Sequence, residues 1–206
     1  DDDYPLYRPY ECVIIEPLKK KILDIIYNGR ADNIWNVVDF LESNYYPGFK
    51  DIGCDVCGLA MKICNQKKAY GITERIMNLL QNKYKCLINI KIFNSYINAL
   101  VLQRNADKMR KASNEFIDIE TKYGLKKGVI TISILLKGFR FNNQLDGAYF
   151  LWNTMINEYK LRPHYVCYIE MIKIYWFNNF DGSAHDLYTE YQNKSDFPDY
   201  IHKWFK

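Results

Sequence analysis

Several features that would point directly to a function are scarce or missing in this sequence. Glycine occurs only ten times in 206 residues, which disfavours an all-β fold with many tight turns. The longest apolar run, near Ile130 to Leu136, is far shorter than a membrane-spanning segment, so no membrane partner is expected. The chain opens Asp1-Asp2-Asp3-Tyr4-Pro5, which is not the pattern of a secretory leader.

Catalytic motifs are also missing. The sequence has no phosphate-binding glycine loop, no paired-carboxylate constellation and no nucleophile elbow. His164, His185 and His202 do not have metal-ligand spacing, and Ser183, His185 and Asp186 lie too close together on one helix to form a triad. We therefore expect a non-catalytic protein that needs no cofactor.

The six cysteines follow no tight disulfide framework, so reduced thiols are expected. Cys54, Cys57 and Cys64 share one face of a predicted helix, where three thiolates would be potential zinc ligands. No second close cysteine pair and no nearby histidine completes such a site. The three residues also fit as small buried side chains of a helical hairpin. We favour that second interpretation and predict no metal site.

What the chain does have is a large apolar fraction and a mild positive charge. Apolar residues make up 49% of the sequence and aromatic residues 16%, so the composition is that of a folded protein. The formal net charge of +4 permits nucleic-acid binding but does not require it.

A repeated spacing organises the C-terminal half. Three sets of residues recur at intervals of 36, namely Ala112, Ala148 and Ala184, then Phe116, Trp152 and Tyr188, then Ile119, Met155 and Tyr191. A small residue, an aromatic residue four positions later and a bulky residue three further on define one face of a helix. The same face seen three times predicts an array of equal helical units.

Helical periodicity covers most of the chain, and no strand pattern competes with it. Predicted helices run from Pro17 to a break at Asn28-Gly29 and over 31–43, 52–65, 70–83, 90–103, 107–122, 130–142, 145–159, 165–178 and 183–192. The inter-helix turn of the unit that starts at Ile90 is predicted to be about three residues longer than the others. The predicted fold is all-α, an αα-hairpin repeat solenoid.

Four segments follow from this pattern. Residues 1–16 form an irregular lead-in, 17–89 degenerate helical hairpins, 90–199 clearer repeats, and 200–206 a further helix or C-terminal cap. The clearest repeats share a set of positions, which are Val129, Thr131, Leu135, Leu136, Gly138, Ala148, Trp152, Met155 and Pro163, then Tyr168, Ile172, Ala184, Tyr188, Pro198 and Asp199. Phe93-Asn94-Ser95-Tyr96-Ile97 matches the opening of a third unit.

This pattern resembles the pentatricopeptide repeat, a helical hairpin of 35 residues, over residues 90–199. The rival is the tetratricopeptide repeat, a protein-binding hairpin that needs a small residue in the middle of its first helix. This chain has Ile97, Leu136 and Ile172 there, and such bulky side chains would push the two helices apart. The pentatricopeptide resemblance is therefore preferred.

The resemblance implies residue pairs that contact single-stranded RNA, one base per repeat. By position the pairs are Asn94 with Gly128, Ser133 with His164, and Ile169 with Asp199. Gly128, His164 and Ile169 differ from the residues usual in the family. Ile130 and Val166 fit the positions that sandwich bases, whereas Phe141 and Phe177 replace a basic residue. These differences favour a repeat array that holds RNA by shape and charge, or that docks on a larger complex.

Spacing alone identifies a cationic stripe on the predicted first helices. Ser133, Lys137 and Arg140 share one helical stripe, and Lys173 lies on the corresponding stripe of the next unit. A row of cations suits an RNA phosphate backbone, and the alternative is an ordinary solvated helix face. Trp176 and Trp204 are candidates for stacking on a base or a partner, with burial the alternative for Trp176.

The candidate RNA-binding residues are therefore Asn94, Ser133, Lys137, Arg140, His164, Lys173 and Asp199. The resemblance implies a non-catalytic RNA-binding protein of organellar RNA metabolism or translation, located in a mitochondrion or plastid. Its partners would be single-stranded or ribosomal RNA and protein subunits of a ribonucleoprotein complex, such as a mitochondrial ribosome. The alternatives are a protein-binding helical-repeat scaffold of a larger assembly, or an accessory RNA-binding segment of an enzyme.

Overall fold

The computed structural model of the protein describes residues 20, 24, 31–192 and 197–206. Within these residues the chain forms eleven α-helices and one π-helical turn and has no strand, which confirms the all-α prediction. The predicted lead-in over 1–16 lies outside the described residues. So does most of the helix predicted from Pro17, of which Lys20 and Asp24 are described and are helical.

The chain divides into two compact units, one ending at Ala99 and the other beginning at Leu100. In the first unit, α1 (Ala31–Ser43), α2 (Phe49–Gln66) and α3 (Tyr70–Asn78) pack against one another. A π-helical turn, Leu79–Lys83, continues α3, and α4 (Ile90–Leu102) spans the division between the units. Helix α4 begins at Ile90, where the clearer repeats are predicted to start, and the change in repeat quality at that residue stays a prediction.

The last residue of the π turn, Lys83, and the residue after it, Tyr84, close the end of α1. The Lys83 ammonium donates hydrogen bonds to the carbonyl oxygens of Leu41, Glu42 and Asn44. The Tyr84 hydroxyl donates to the Leu41 and Asn44 carbonyls, at 2.9 Å in each case. These donors satisfy carbonyl groups that have no partner within a helix at its C-terminus.

The second unit contains two helical hairpins in succession. Its helices are α5 (Ala106–Ile117), α6 (Ile119–Tyr123), α7 (Val129–Phe141), α8 (Leu145–Asn157), α9 (Tyr165–Phe177), α10 (Asp181–Tyr191) and α11 (Asp199–Trp204). The α7–α8 and α9–α10 pairs each form an antiparallel-type hairpin joined by a short turn. Helix α9 packs against both α7 and α8, and α5 packs against α7. The first helices of the two hairpins are therefore direct neighbours.

The repeated sequence positions occupy equivalent buried places. Ala112, Ala148 and Ala184 are all completely inaccessible to solvent. The residues that follow at the repeat spacing are buried in the first two copies (Phe116, Ile119, Trp152, Met155) and half-buried in the last (Tyr188, Tyr191). The interval of 36 therefore marks one face of α8 and of α10, whereas in the first copy Ala112 and Phe116 lie on α5 and Ile119 begins the separate helix α6.

The hairpin turns are also equivalent. Asn143 and Asn179 adopt left-handed backbone conformations, with φ of 51° and 62°, and asparagine tolerates this region better than most residues. The amide that follows each of them donates to the carbonyl five residues back, in the bonds Gln144 to Phe139 (2.8 Å) and Phe180 to Tyr175 (2.9 Å). The two hairpins thus reverse direction by the same local geometry.

The predicted longer turn in the unit that starts at Ile90 is wrong. Three residues separate the first and second helices in all three pairs, including α4 and α5. The additional residues lie at the start of α5, which has six residues before Ala112, whereas α8 has three before Ala148. The second helix is lengthened by about one turn and the hairpin loop is unchanged.

Gly138 provides the sharpest test of packing in the second unit. A Cβ added there would lie 2.5 Å from Met109 Sδ and 2.9 Å from Val101 Cβ, and both distances are shorter than a van der Waals contact allows. Gly138→Ala should therefore unfold at lower urea concentration, with a free energy of unfolding about 1–3 kcal/mol below that of Gly182→Ala. Gly182 is also helical and has open space around it, so it controls for helix propensity. Equal stability of the two variants would contradict the close approach at Gly138.

Candidate nucleic-acid interface

An ion pair links the first helices of the two hairpins. Arg140, in the last turn of α7, donates from Nε to Oε2 of Glu170 on α9 at 2.7 Å. The Arg140 side chain is 20% exposed and that of Glu170 only 8%. A carboxylate so deeply buried needs a charged partner, and the packing of α7 against α9 supplies one. The Arg140 charge is therefore not a free contact for an anion.

Lys137 lies one helical turn before Arg140 and is half-buried. Burial lowers the pKa of its ammonium, the Glu170 carboxylate opposes that shift, and the Arg140 charge adds to it. Glu170 therefore acts on both cations of α7. Because the site is partly desolvated, a phosphate oxygen that reached Lys137 would interact with it more strongly than in bulk water.

Lys173 lies one turn after Glu170 on α9 and is also half-buried. Its Nζ is 5.3 Å from the centre of the Tyr200 ring, which is within the range of a cation–π contact. Tyr200 belongs to α11 and is 43% exposed. We call the group of Lys137, Arg140 and Glu170, together with Lys173 one helical turn after Glu170 on α9, the α7–α9 cationic face.

The residues predicted to contact bases differ in how far they are exposed to solvent. Ser133 is buried, and its hydroxyl donates to the Ile130 carbonyl within α7 at 2.6 Å. Ile169 is buried as well. Asp199 is exposed at the first residue of α11. Asn94 lies half-buried on α4 in the other compact unit.

His164 immediately precedes α9 and is half-buried. Its ring lies 4.4 Å from the ring of Tyr165. Its Nδ1 atom is buried and has no hydrogen-bond partner among the described residues. Of the seven candidate residues, Lys137 and Arg140 lie one helical turn apart on α7. Lys173 lies on the neighbouring helix α9, which also carries Glu170.

Phe141 and Phe177, which stand where the pentatricopeptide repeat usually has a basic residue, lie in different surroundings. Phe141 is half-buried, and the guanidinium groups of Arg104 and Arg140 lie 4.1 Å and 4.8 Å from its ring centre. Phe177 is 63% exposed and contacts the Trp204 ring edge-on at 5.7 Å. Phe141 therefore gathers positive charge at a position where it contributes none itself.

Trp176 and Trp204 stack on each other, with ring centres 5.2 Å apart and planes 7° from parallel. Both rings are half-buried, and Phe205 packs edge-on against Trp176. One face of each indole is therefore already occupied within the second unit. The sequence predicts either stacking on a ligand or burial for Trp176, and the structure instead shows this stacked pair of half-buried rings.

Glu170 is the residue of this site that sequence reasoning missed. It is an isolated acidic residue in the helix segment Tyr165–Phe177, which is otherwise mostly apolar. A carboxylate that is buried in an apolar run requires a cationic partner. That signal was present, but it did not identify Arg140, which is 30 residues earlier in the chain.

Comparison with known proteins adds no relative: no protein-family model matches the sequence, and a search of curated proteins finds no match. The pentatricopeptide resemblance therefore stays a prediction. In the part of the chain that the structure describes, no helix has both the length and the apolar character to cross a membrane. The same residues contain no cluster of histidine, cysteine or carboxylate side chains that would hold a metal ion.

The buried ion pair should contribute more to stability than a surface pair. Glu170→Gln removes the charge but keeps the shape, and we expect the free energy of unfolding in urea to fall by about 1–3 kcal/mol. Asp107→Asn is the matched change in an exposed pair, because Asp107 and Arg110 are 83% and 70% exposed. That variant should lose less than about 1 kcal/mol. Equal losses would mean that the Arg140–Glu170 pair is not effectively desolvated.

Proposed function

We propose that the second unit is part of an αα-hairpin repeat solenoid of the pentatricopeptide type that binds single-stranded RNA without catalysing a reaction. The observation that carries the proposal is the α7–α9 cationic face, where Lys137 on α7 and Lys173 on α9 each lie about one helical turn from a member of the Arg140–Glu170 ion pair. By the family resemblance, the protein would act in a mitochondrion or plastid, in RNA metabolism or translation. Membership of a ribonucleoprotein complex such as a mitochondrial ribosome belongs to the same proposal.

Repetition of geometry supports the solenoid. The α7–α8 and α9–α10 hairpins share their buried alanines, their left-handed asparagine turns and the 36-residue interval. Adjacent first helices are what a stack of such hairpins requires, because one wall of the stack is then built from first helices alone. The ligand-binding wall would be the one that carries the α7–α9 cationic face.

The chemistry of that face supports contact with phosphate more than recognition of bases. Lys137 and Lys173 are cationic donors on neighbouring helices, whereas Ser133 and Ile169 are buried. Phosphate contacts carry no sequence information, so binding should be largely independent of base sequence. We therefore propose an RNA-binding surface that acts by charge and shape.

A charge substitution tests this proposal directly. Lys137→Ala should weaken binding to single-stranded RNA by a similar factor for poly-U, poly-A and mixed oligonucleotides. It should also reduce the slope of log affinity against log salt by about one. Fluorescence anisotropy with labelled oligonucleotides of about 12 nucleotides, at salt concentrations from about 50 to about 200 mM, measures both the affinity and the salt slope.

Two further variants sharpen the test. Arg110→Ala removes the same charge from an exposed position on α5, a second helix, and should leave affinity and salt slope nearly unchanged. Glu170→Gln removes the carboxylate that holds Arg140 and should strengthen RNA binding. RNA affinity that responds equally to Lys137→Ala and Arg110→Ala, or that ignores salt, would overturn the proposed role of the face.

A second candidate function is supported by the outer surface of α8. Tyr149 and Phe150 are 56% and 71% exposed on this second helix. They border a shallow groove of about 460 Å³ that is also lined by Asp146, Asn153, Thr154, Asn157 and Glu158. Neighbouring exposed aromatic residues within a polar rim are typical of protein-binding surfaces. This surface favours a helical-repeat scaffold subunit.

The scaffold hypothesis makes a distinct prediction. In a pull-down with the full chain, the unsubstituted protein should recover the same protein partners with and without nuclease treatment. Phe150→Ser should reduce that recovery. Ile117→Ser, at a 62% exposed position on α5, is the matched control and should not change recovery. Loss of all partners on nuclease treatment would instead favour RNA as the ligand.

A further inference from the structure

Two cysteines of the first unit lie in contact across separate elements. Cys54 is in the first half of α2, and Cys86 follows the π-helical turn Leu79–Lys83. The two segments are in direct contact: the Cys54 thiol donates to the carbonyl of Leu87, the residue after Cys86, at 3.4 Å, and Cys86 Sγ lies against Gly53, the residue before Cys54. The two residues are 32 positions apart in sequence, so the pair depends on the fold and not on a local motif.

The backbone brings Cys86 against α2. Lys85 has a left-handed conformation with φ of 52°, and the Cys86 amide donates to the Leu80 carbonyl at 2.7 Å. A Cβ added at Gly53 would lie 2.9 Å from Cys86 Sγ. Gly53 therefore leaves the space in which the thiol of Cys86 sits, next to Cys54.

The two thiols differ in environment. Cys54 is half-buried and accessible, whereas Cys86 is buried and its Sγ also lies 3.7 Å from the Phe49 carbonyl, to which it can donate. A hydrogen bond from Cys86 and one from the Asn89 amide stabilise the Cys54 thiolate. They lower the pKa of Cys54 to about 7, against the opposing effects of burial and of Asp55.

The other described cysteines of this unit are not reactive in the same way. Cys57 and Cys64 are buried on the same helix. Burial raises the pKa of Cys57 well above its ordinary value and that of Cys64 to about 11. Interaction with the Cys54 side chain and burial also raise the pKa of Cys86. Cys54 is thus the nucleophile, and Cys86 is the thiol placed to react next.

We propose that Cys54 and Cys86 form a hydroperoxide-sensitive thiol pair that closes to an intramolecular disulfide. The inference is independent of RNA binding. It assigns a modification site to the first unit, with hydrogen peroxide or another hydroperoxide as the oxidant.

The reaction balances in two steps. The Cys54 thiolate attacks one oxygen of hydrogen peroxide, the O–O bond breaks, and hydroxide leaves with a sulfenic acid on Cys54. The Cys86 sulfur then attacks the Cys54 sulfur and displaces its oxygen as hydroxide, which takes up the Cys86 proton and leaves as water. Two thiols lose two electrons and two protons in all, and one molecule of peroxide is reduced.

Peptide mapping of the full chain tests the pair. After brief exposure to hydrogen peroxide under non-reducing conditions, mass spectrometry should find a Cys54–Cys86 crosslink that a dithiol reductant removes. Cys64→Ser should form the same crosslink at the same rate. A crosslink from Cys54 to Cys12 or Cys57, or equal oxidation of all the cysteines, would overturn the proposal.

Trapping the intermediate gives a second, independent readout. Cys86→Ser and Cys86→Ala remove the resolving thiol, so labelling of Cys54 by dimedone after peroxide should rise at least several-fold over wild type. Cys54→Ser should abolish both the label and the crosslink. Unchanged dimedone labelling in two folded Cys86 variants, checked by circular dichroism, would show that Cys86 does not resolve the sulfenic acid.

The pH dependence of alkylation separates this arrangement from a simple exposed cysteine. Iodoacetamide should modify Cys54 of the wild type at a rate that rises with pH and reaches half its maximum near pH 7, because the thiolate is the reacting form. Asp55 is the charged group that opposes ionisation. Cys86→Ala should move the midpoint to higher pH, since the hydrogen bond to the thiolate is lost. An unmoved midpoint would contradict the thiol contact.

Discussion

The second unit depends on close approach of its helices at small buried side chains. Ala112, Ala148 and Ala184 are completely buried, and at Gly138 even a methyl group would collide with α4 and α5 residues. Because protein interiors are packed to crystal-like density, such positions fix the distance between neighbouring helices. The packing of α7 against α9 brings Arg140 to Glu170, so the charged group of the candidate RNA site is itself a consequence of helix packing.

Much of the fold could be predicted from the sequence, because helix boundaries and buried faces are recorded in local periodicity. The helix 31–43 and the breaks at Asn142-Asn143 and Asn178-Asn179 are confirmed. The turn length before α5 could not be predicted correctly. The repeat interval reports where the buried face recurs, and residues added inside a helix change that interval as much as residues added in a loop.

The candidate site was less predictable, since its chemistry depends on contacts between separate helices. Periodicity placed Lys137 and Arg140 on one stripe, but it carried no information on Glu170, which ties Arg140 down. Likewise, the stacking of Trp176 on Trp204 joins two elements whose relation is not local. Predictions about a single helical face were informative, and predictions about which charges remain free were not.

The π-helical turn at Leu79–Lys83 has a consequence for the first unit as a whole. The Tyr84 amide bonds to the Leu79 carbonyl, five residues back, so the turn contains one residue more than an α-helical turn. Each residue of an α-helix rotates the chain by about 100°. That single inserted residue therefore sets the direction of the residues that directly follow it in the first unit. Lys83 and Tyr84 face the end of α1, and Cys86 faces α2, so the cap of α1 and the position of the Cys86 thiol share one structural origin.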